Sequence, residues 1–217
     1  MKKQFAVIGL GQFGVSLIEE LTNIGHEVLA IDSNEDRVND VVNLATHAVQ
    51  ADAMDEQALK SLGVNNFDTV IVSIGEDMQS SILATILLKE MGVEKVVAKA
   101  KNHLHGKVLE KLGASVIFPE RDMGRRLAHL LVSEGILDQI YLSRDHSIME
   151  IKAPARFVGK NLVEVDVRRK YKVTILAIKR GEEIVVSPRA EEIIDGEDIL
   201  VAVGKNINLQ KLYNTEK

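Results

Sequence analysis

Phe5-Ala6-Val7-Ile8-Gly9-Leu10-Gly11-Gln12-Phe13-Gly14 is the stretch on which the fold turns. Its four leading apolar residues are too few for a helix and read as a buried strand. The three glycines then follow at the spacing of a strand-to-helix turn that can receive a diphosphate. Gly9 permits the tight turn, Gly11 lets the backbone approach the ligand, and Gly14 lets the next helix pack close to the strand. The phosphate charge would rest on free N–H groups at the helix start, around Gln12 and Phe13, so no side chain has to supply the main anchoring charge.

Asp32 closes a second apolar run at 28–31 and is followed by Ser33. A carboxylate at that place can accept both hydroxyls of an adenosine ribose. It would repel a 2′-phosphate, which disfavours NADP relative to NAD, ATP or ADP. Asp is also a good cap for a helix starting around 33–35, and that reading stays open beside the first.

Outward from this core, short β-branched runs recur at 47–49, 69–74, 96–98 and 116–118, each separated by a helical pattern. Six such runs alternating with helices read as an α/β fold with a Rossmann-like, doubly wound parallel sheet. Gly25, Gly63, Gly92 and Gly113 sit where the helices should stop. The ends of the later strands carry the remaining candidates, because ligands of open α/β sheets bind at that edge. Asp52-Ala53 borders the base or ribose, or caps the helix that follows. Ile74-Gly75 gives a close backbone approach or a plain turn. Arg37 covers the adenine, reaches a phosphate, or is a solvated surface residue. Lys99 faces the same edge and can meet a phosphate.

Pro119 opens a helix over 120–134 with Met123, Leu127, Leu130 and Leu131 on one side, which suits both packing at the sheet edge and a contact with a second copy. The rhythm then changes. Strands at 147–151, 173–178, 184–186 and 198–203, a helix over 161–170 and a terminal helix from 206 read as a small α+β unit. The expected organisation is therefore a nucleotide-binding domain at 1–134, a linker at 135–144 and a small domain at 145–217.

The chain has 217 residues, 46% of them apolar and 4% aromatic, with no Cys and a formal charge of −5. The charge gives no field for a polyanion, so nucleic acid is not an expected partner. Without Cys there is no disulfide or thiolate chemistry, and a reducing cytoplasm is the natural compartment. The opening apolar run is too short for a signal peptide, and no stretch approaches the roughly 20 apolar residues of a spanning helix. No Gly-Lys-Ser/Thr follows the glycines, and the six histidines form no acid–base pair in the sequence. Binding without catalysis is the simpler account; the alternative is an NAD-dependent oxidoreductase acting on a small substrate.

The opening stretch, with Ala30-Ile31-Asp32, Ala51-Asp52-Ala53, Val70-Ile71-Val72-Ser73-Ile74-Gly75, Val108-Leu109-Glu110-Lys111-Leu112-Gly113-Ala114, Phe118-Pro119-Glu120-Arg121-Asp122-Met123-Gly124 and Phe157-Val158-Gly159-Lys160-Asn161-Leu162, resembles the RCK family of TrkA-N/TrkA-C proteins, and within it the regulatory subunits of bacterial Ktr potassium transporters. The resemblance implies a homo-octameric ring, a tetramer of dimers, docked on a potassium-translocating membrane subunit. It implies activation by ATP and inactivation by ADP, with NAD or NADH binding in some relatives. Gly9, Gly11, Gly14, Asp32, Asp52 and Lys99 fall on nucleotide-contacting positions. Glu120 falls on a position that holds a divalent cation or sodium in relatives; from the residues alone it reads as an acid at a helix start. Arg168, Ile175, Leu176 and Pro188 fall on a surface that binds cyclic di-AMP in some relatives. One departure is Gln12, where several relatives carry an Arg that reaches the terminal phosphate. Gln carries no charge, so a preference for ATP here needs another cation, such as Arg37, Lys99 or a bound metal.

Overall fold

The computed structural model describes residues 2–132 and 136–213, leaving aside the side chains of 129, 130, 132 and 136. Leu130 of the expected apolar stripe and position 135 of the expected linker thus lie outside the described residues.

The first unit runs β1 (Gln4–Ile8), α1 (Gln12–Asn23), β2 (Glu27–Asp32), α2 (Glu35–Val41), β3 (His47–Gln50), α3 (Glu56–Ser61), β4 (Thr69–Val72), α4 (Met78–Glu90), β5 (Val96–Lys99), α5 (His103–Lys111) and β6 (Ser115–Ile117). Its sheet has the order β3-β2-β1-β4-β5-β6, and all its pairings are parallel. The six strands and the fold class expected from the sequence are therefore present.

Alternation along β1 shows how the two faces are filled. Val7 joins Ile18, Val28, Ala30, Val38 and Val41 on the face covered by α1 and α2. Ala6 and Ile8 join Leu59, Ala84, Leu88 and Leu109 on the opposite face. Strands buried on both sides must be apolar at every position, which is why these runs carry no polar alternation. The strand order reverses direction between β1 and β4, and the carboxyl ends of those two strands frame a crevice. Gly25, Gly63, Gly92 and Gly113 all take positive φ, as expected of helix stops.

The second unit contains β7 (Ile136–Tyr141), β8 (His146–Lys152), α7 (Leu162–Val165), α8 (Val167–Tyr171), β9 (Val173–Arg180), β10 (Glu183–Val186), β11 (Ile199–Lys205) and α9 (Asn206–Tyr213). Its antiparallel sheet has the order β10-β9-β11-β8-β7. Met149, Ile151, Phe157, Val165, Ile178, Leu200, Leu209 and Leu212 form its core. The helix α6 (Pro119–Val132) precedes it.

Three local features differ from the sequence reading. Residues 136–141, expected within a linker, form a strand paired with β8, with Ile140 opposite Ile148 and Tyr141 opposite Ser147. The chain divides between Asp122 and Met123, inside α6, and not after residue 134. The later turns of α6 go with the second unit because Arg126 grips Asp138 of β7 with bonds of 2.7 and 2.8 Å. The expected helix over 161–170 is broken at Asp166, which takes φ +50 and separates α7 from α8. Asp tolerates that left-handed conformation better than most residues, and Arg169 pairs with its carboxylate at 2.8 Å.

Candidate functional site

A groove of about 1220 Å³ opens at the carboxyl ends of β1, β2, β4 and β5. The glycine turn forms its floor. Gly9 has φ +97, and a Cβ there would lie 2.9 Å from the Ile74 nitrogen, so only glycine fits. Gly14 does not line the groove: it sits beneath the turn, where a Cβ would come within 2.2 Å of the Gly9 carbonyl. Gly11 has open space on its Cβ side and serves as N-cap of α1 without a side-chain bond. Nothing described within 4 Å of that position requires glycine at 11. The Val15 N–H bonds the Gly11 carbonyl at 3.0 Å, joining the N-cap to the α1 ladder. The N–H groups of Gln12 and Phe13, which line the groove, precede that ladder and are the donors a phosphate would meet.

Asp32 is buried at the end of β2. Its Oδ2 accepts the Leu10 N–H at 2.7 Å and its Oδ1 accepts the Asn34 N–H at 2.9 Å. Asn34, not Asp32, caps α2 by accepting from the Arg37 N–H. Arg37 lies 3.7 Å from Asp32 and is exposed enough to swing away. Asp52 likewise caps no helix. It accepts the Met54 N–H at 2.9 Å in a turn, while Asp55 caps α3. Ser33, Ala53 and Ile74 also line the groove.

At the far end, the Lys99 aliphatic chain lies across Gly75, where a Cβ would meet its Cε and Nζ at 3.2 Å. Its ammonium is 2.5 Å from Glu120 and 5.8 Å above the centre of the Phe13 ring. The hydrogen bond from Lys99 holds the Glu120 carboxyl below the usual carboxylate range. Among the described residues no group of three or more His, Cys, Asp or Glu can hold a metal ion, so a cation at Glu120 would need ligands from elsewhere.

The groove thus brings together every first-domain candidate except Gly14, which supports it from below. Sequence reasoning missed Leu10, Asp40, Glu76, Asp77, Ser80 and Lys101, which also line it. It missed Ser73 as well, whose hydroxyl is buried without a partner. Asp77 was legible in principle as the cap of α4. The basic side chains Arg37, Lys99 and Lys101 face six acids, Asp32, Asp40, Asp52, Glu76, Asp77 and Glu120, so the groove is acid-rich.

In the second unit Arg168 is exposed on α8. Ile175 packs on the core, whereas Leu176 is exposed at an irregularity in β9, where Val201 pairs with Ala177 and Ala202 with Ile175. The Leu176 carbonyl accepts the Ser187 N–H at 2.8 Å, which brings the turn before Pro188 beside it.

These features define a doubly wound α/β protein of the dinucleotide-fold class, joined to a small α+β domain. The TrkA-N domain matches residues 5–120 and the TrkA-C domain residues 147–216. The chain is 50% identical over 212 residues to Ktr system potassium uptake protein C of Bacillus subtilis, covering 97% of this chain and 96% of the relative. It is 48% identical to Ktr system potassium uptake protein A of the same organism, covering 98% and 96%. The solved GsuK RCK domain covers 99% of this chain with a TM-score of 0.68 at 20% identity, a likeness of fold; this chain spans 48% of that one. The chain belongs to the RCK family of TrkA-N/TrkA-C proteins that includes the Ktr system potassium uptake proteins.

Proposed function

We propose that this chain is the nucleotide-sensing regulatory subunit of a Ktr-type potassium uptake system. The observation that carries this reading is the groove itself, in which the buried Asp32 carboxylate and the glycine turn face one ligand-sized space. Adenine nucleotide binds with its ribose on Asp32 and its phosphates over Gln12 and Phe13. ATP activates and ADP inactivates; NAD or NADH fits the same groove. Because six acids outnumber three basic groups there, a triphosphate enters best with a divalent cation, and Glu120 is the carboxylate nearest the Lys99 end.

No helix among the described residues is long and apolar enough to cross a membrane. The proposed action on transport therefore passes through a potassium-translocating membrane subunit, with the chain held at the cytoplasmic side of the membrane as an octameric ring. Met123, Leu127 and Leu131 are exposed along α6 in the single chain, and a second copy would cover them. Cyclic di-AMP is the proposed second ligand, met by Arg168, Leu176 and Pro188, with Ile175 behind them.

Calorimetric titration with ATP, ADP and NAD tests the nucleotide reading. Asp32→Ala should weaken binding about tenfold or more, since hydrogen bonds to a charged group are worth about 1.5–3 kcal/mol each. Undiminished affinity in that variant would remove the proposed site.

A further inference from the structure

Gly106 lies inside α5, where glycine is the least favourable residue short of proline. The space its side chain would occupy is taken. A Cβ at Gly106 would lie 2.5 Å from Cζ of Phe118 and 3.2 Å from its Cε1. The Arg121 guanidinium stacks on the Phe118 ring, 3.9 Å from its centre. The ring is therefore held by the α5 notch and by a cation on its face. Phe118 is also the residue that launches α6: its carbonyl accepts the Asp122 N–H at 2.9 Å. Two residues further on, Glu120 meets Lys99 at 2.5 Å. The seat of the ring thus fixes where the first turn of α6 begins, and with it the place of the Glu120 carboxylate.

Glu120 and a phosphate are rivals for the same ammonium. Lys99 is the most enclosed cation of the groove, its side chain 15% exposed, whereas that of Glu120 is 67% exposed. We propose that Phe118, seated in the notch at Gly106, is a positioning residue that holds Glu120 on Lys99 and so sets how much of the Lys99 charge a nucleotide phosphate can use. This rests on the nucleotide reading given above. Moving the ring out of its seat draws Glu120 away and leaves the ammonium open. Ion pairs with an exposed partner are worth at most about 1 kcal/mol, so the gain in affinity for a phosphate-bearing nucleotide is at most about fivefold.

The test is a set of metal-free titrations with ADP and with adenosine. Gly106→Ala, which forces the ring out, is expected to tighten ADP by about two- to fivefold and to leave adenosine unchanged. Glu120→Gln is expected to do the same, and the two together no more than either alone. In Gly106→Ala/Phe118→Leu the shorter side chain fits beside the new methyl group, and the affinity should return towards that of the unaltered chain. Should Gly106→Ala fail to fold, Phe118→Ala replaces it in the same cycle. Equal effects on adenosine and ADP, or effects that add with Glu120→Gln, would overturn the proposal. So would a crystal structure of Gly106→Ala in which Lys99 and Glu120 still touch, whatever the nucleotide does. If Asp32→Ala leaves ADP affinity intact, the nucleotide reading falls instead, and the crystal structure alone then decides the positioning role.

Discussion

Replacing Arg180 by Met should destabilise the C-terminal unit and change how its stability responds to acid. Asp198 has a fully buried carboxylate, gripped by Arg180 through Nε at 2.9 Å and Nη2 at 2.8 Å. Arg180 also bonds the Ile193 carbonyl at 2.9 Å and lies 3.2 Å from Asp195, tying the segment between β10 and β11 to the sheet. Methionine fills a similar volume but leaves Asp198 with only the Asp195 N–H, at 2.9 Å. Removing one partner of a buried pair costs about 3–5 kcal/mol. Arg180 is itself a little over a third exposed, so solvent screening reduces this to about 2–4 kcal/mol. For a unit of this size that is roughly 10–20 °C in the unfolding midpoint at neutral pH. The Arg180 hydrogen bonds hold the Asp198 carboxyl below its usual range. In the parent chain this contributes stability above the unfolded carboxyl pKa of about 4, lost as pH falls through the lower folded value. In Arg180→Met the buried, unpaired carboxyl shifts the other way, so protonation on acidification restores stability. Scanning calorimetry at pH 7, 5 and 4 should therefore show the deficit of the variant shrinking towards acid. A variant as stable as its parent at pH 7, or a deficit that stays constant down to pH 4, would refute the reasoning.

Other consequences follow from the first unit. Gly11→Ala meets nothing in the fold and has an ordinary φ of −76, so thermal stability should change by no more than about 0.5 kcal/mol, while titration shows nucleotide affinity falling several-fold. His105 is buried, accepts the Lys101 N–H through Nδ1, and is held below the usual histidine pKa by that burial. Its neutral form is the folded one, so stability contributed above about pH 6.5 is lost as pH falls towards the lower folded value. His105→Gln should flatten that slope in denaturant titrations between pH 7 and 5.

The first unit was legible because its signals are local and redundant. The central strands are apolar runs buried on both faces, and a glycine ends four of the five intervening helices, so Val7, Ile31 and Val72 could be placed without any contact information. The groove was legible where backbone chemistry dictates the residue, at Gly9, Gly14 and Asp32. It was not legible at Leu10 or Lys101, which enter it from the loops that follow β1 and β5, where the sequence carries no pattern that marks a lining residue. The strand at 136–141 escaped for a different reason. An irregularity falls between Ile136 and Asp138, and Leu137 and Ile140 are both exposed, so no two-residue alternation survives. The break at Asp166 is a single left-handed residue inside a helical pattern, which periodicity cannot see.

Asp32 has one further consequence, which comes from counting acceptor capacity. A carboxylate offers about four lone-pair sites. Leu10 and Asn34 already fill two of them with backbone N–H groups. Two remain, the number that the paired hydroxyls of a ribose can donate to. A 2′-phosphate brings no donor and finds no vacancy it can use, and a 2′-deoxyribose fills one site and leaves the other dry and unmet. If a ribose sits on Asp32 as proposed, selectivity against deoxynucleotides at this edge would depend on the main-chain groups of the neighbouring turn that occupy the other acceptor sites, and no side-chain substitution at 10 or 34 that keeps the backbone in place would relax it.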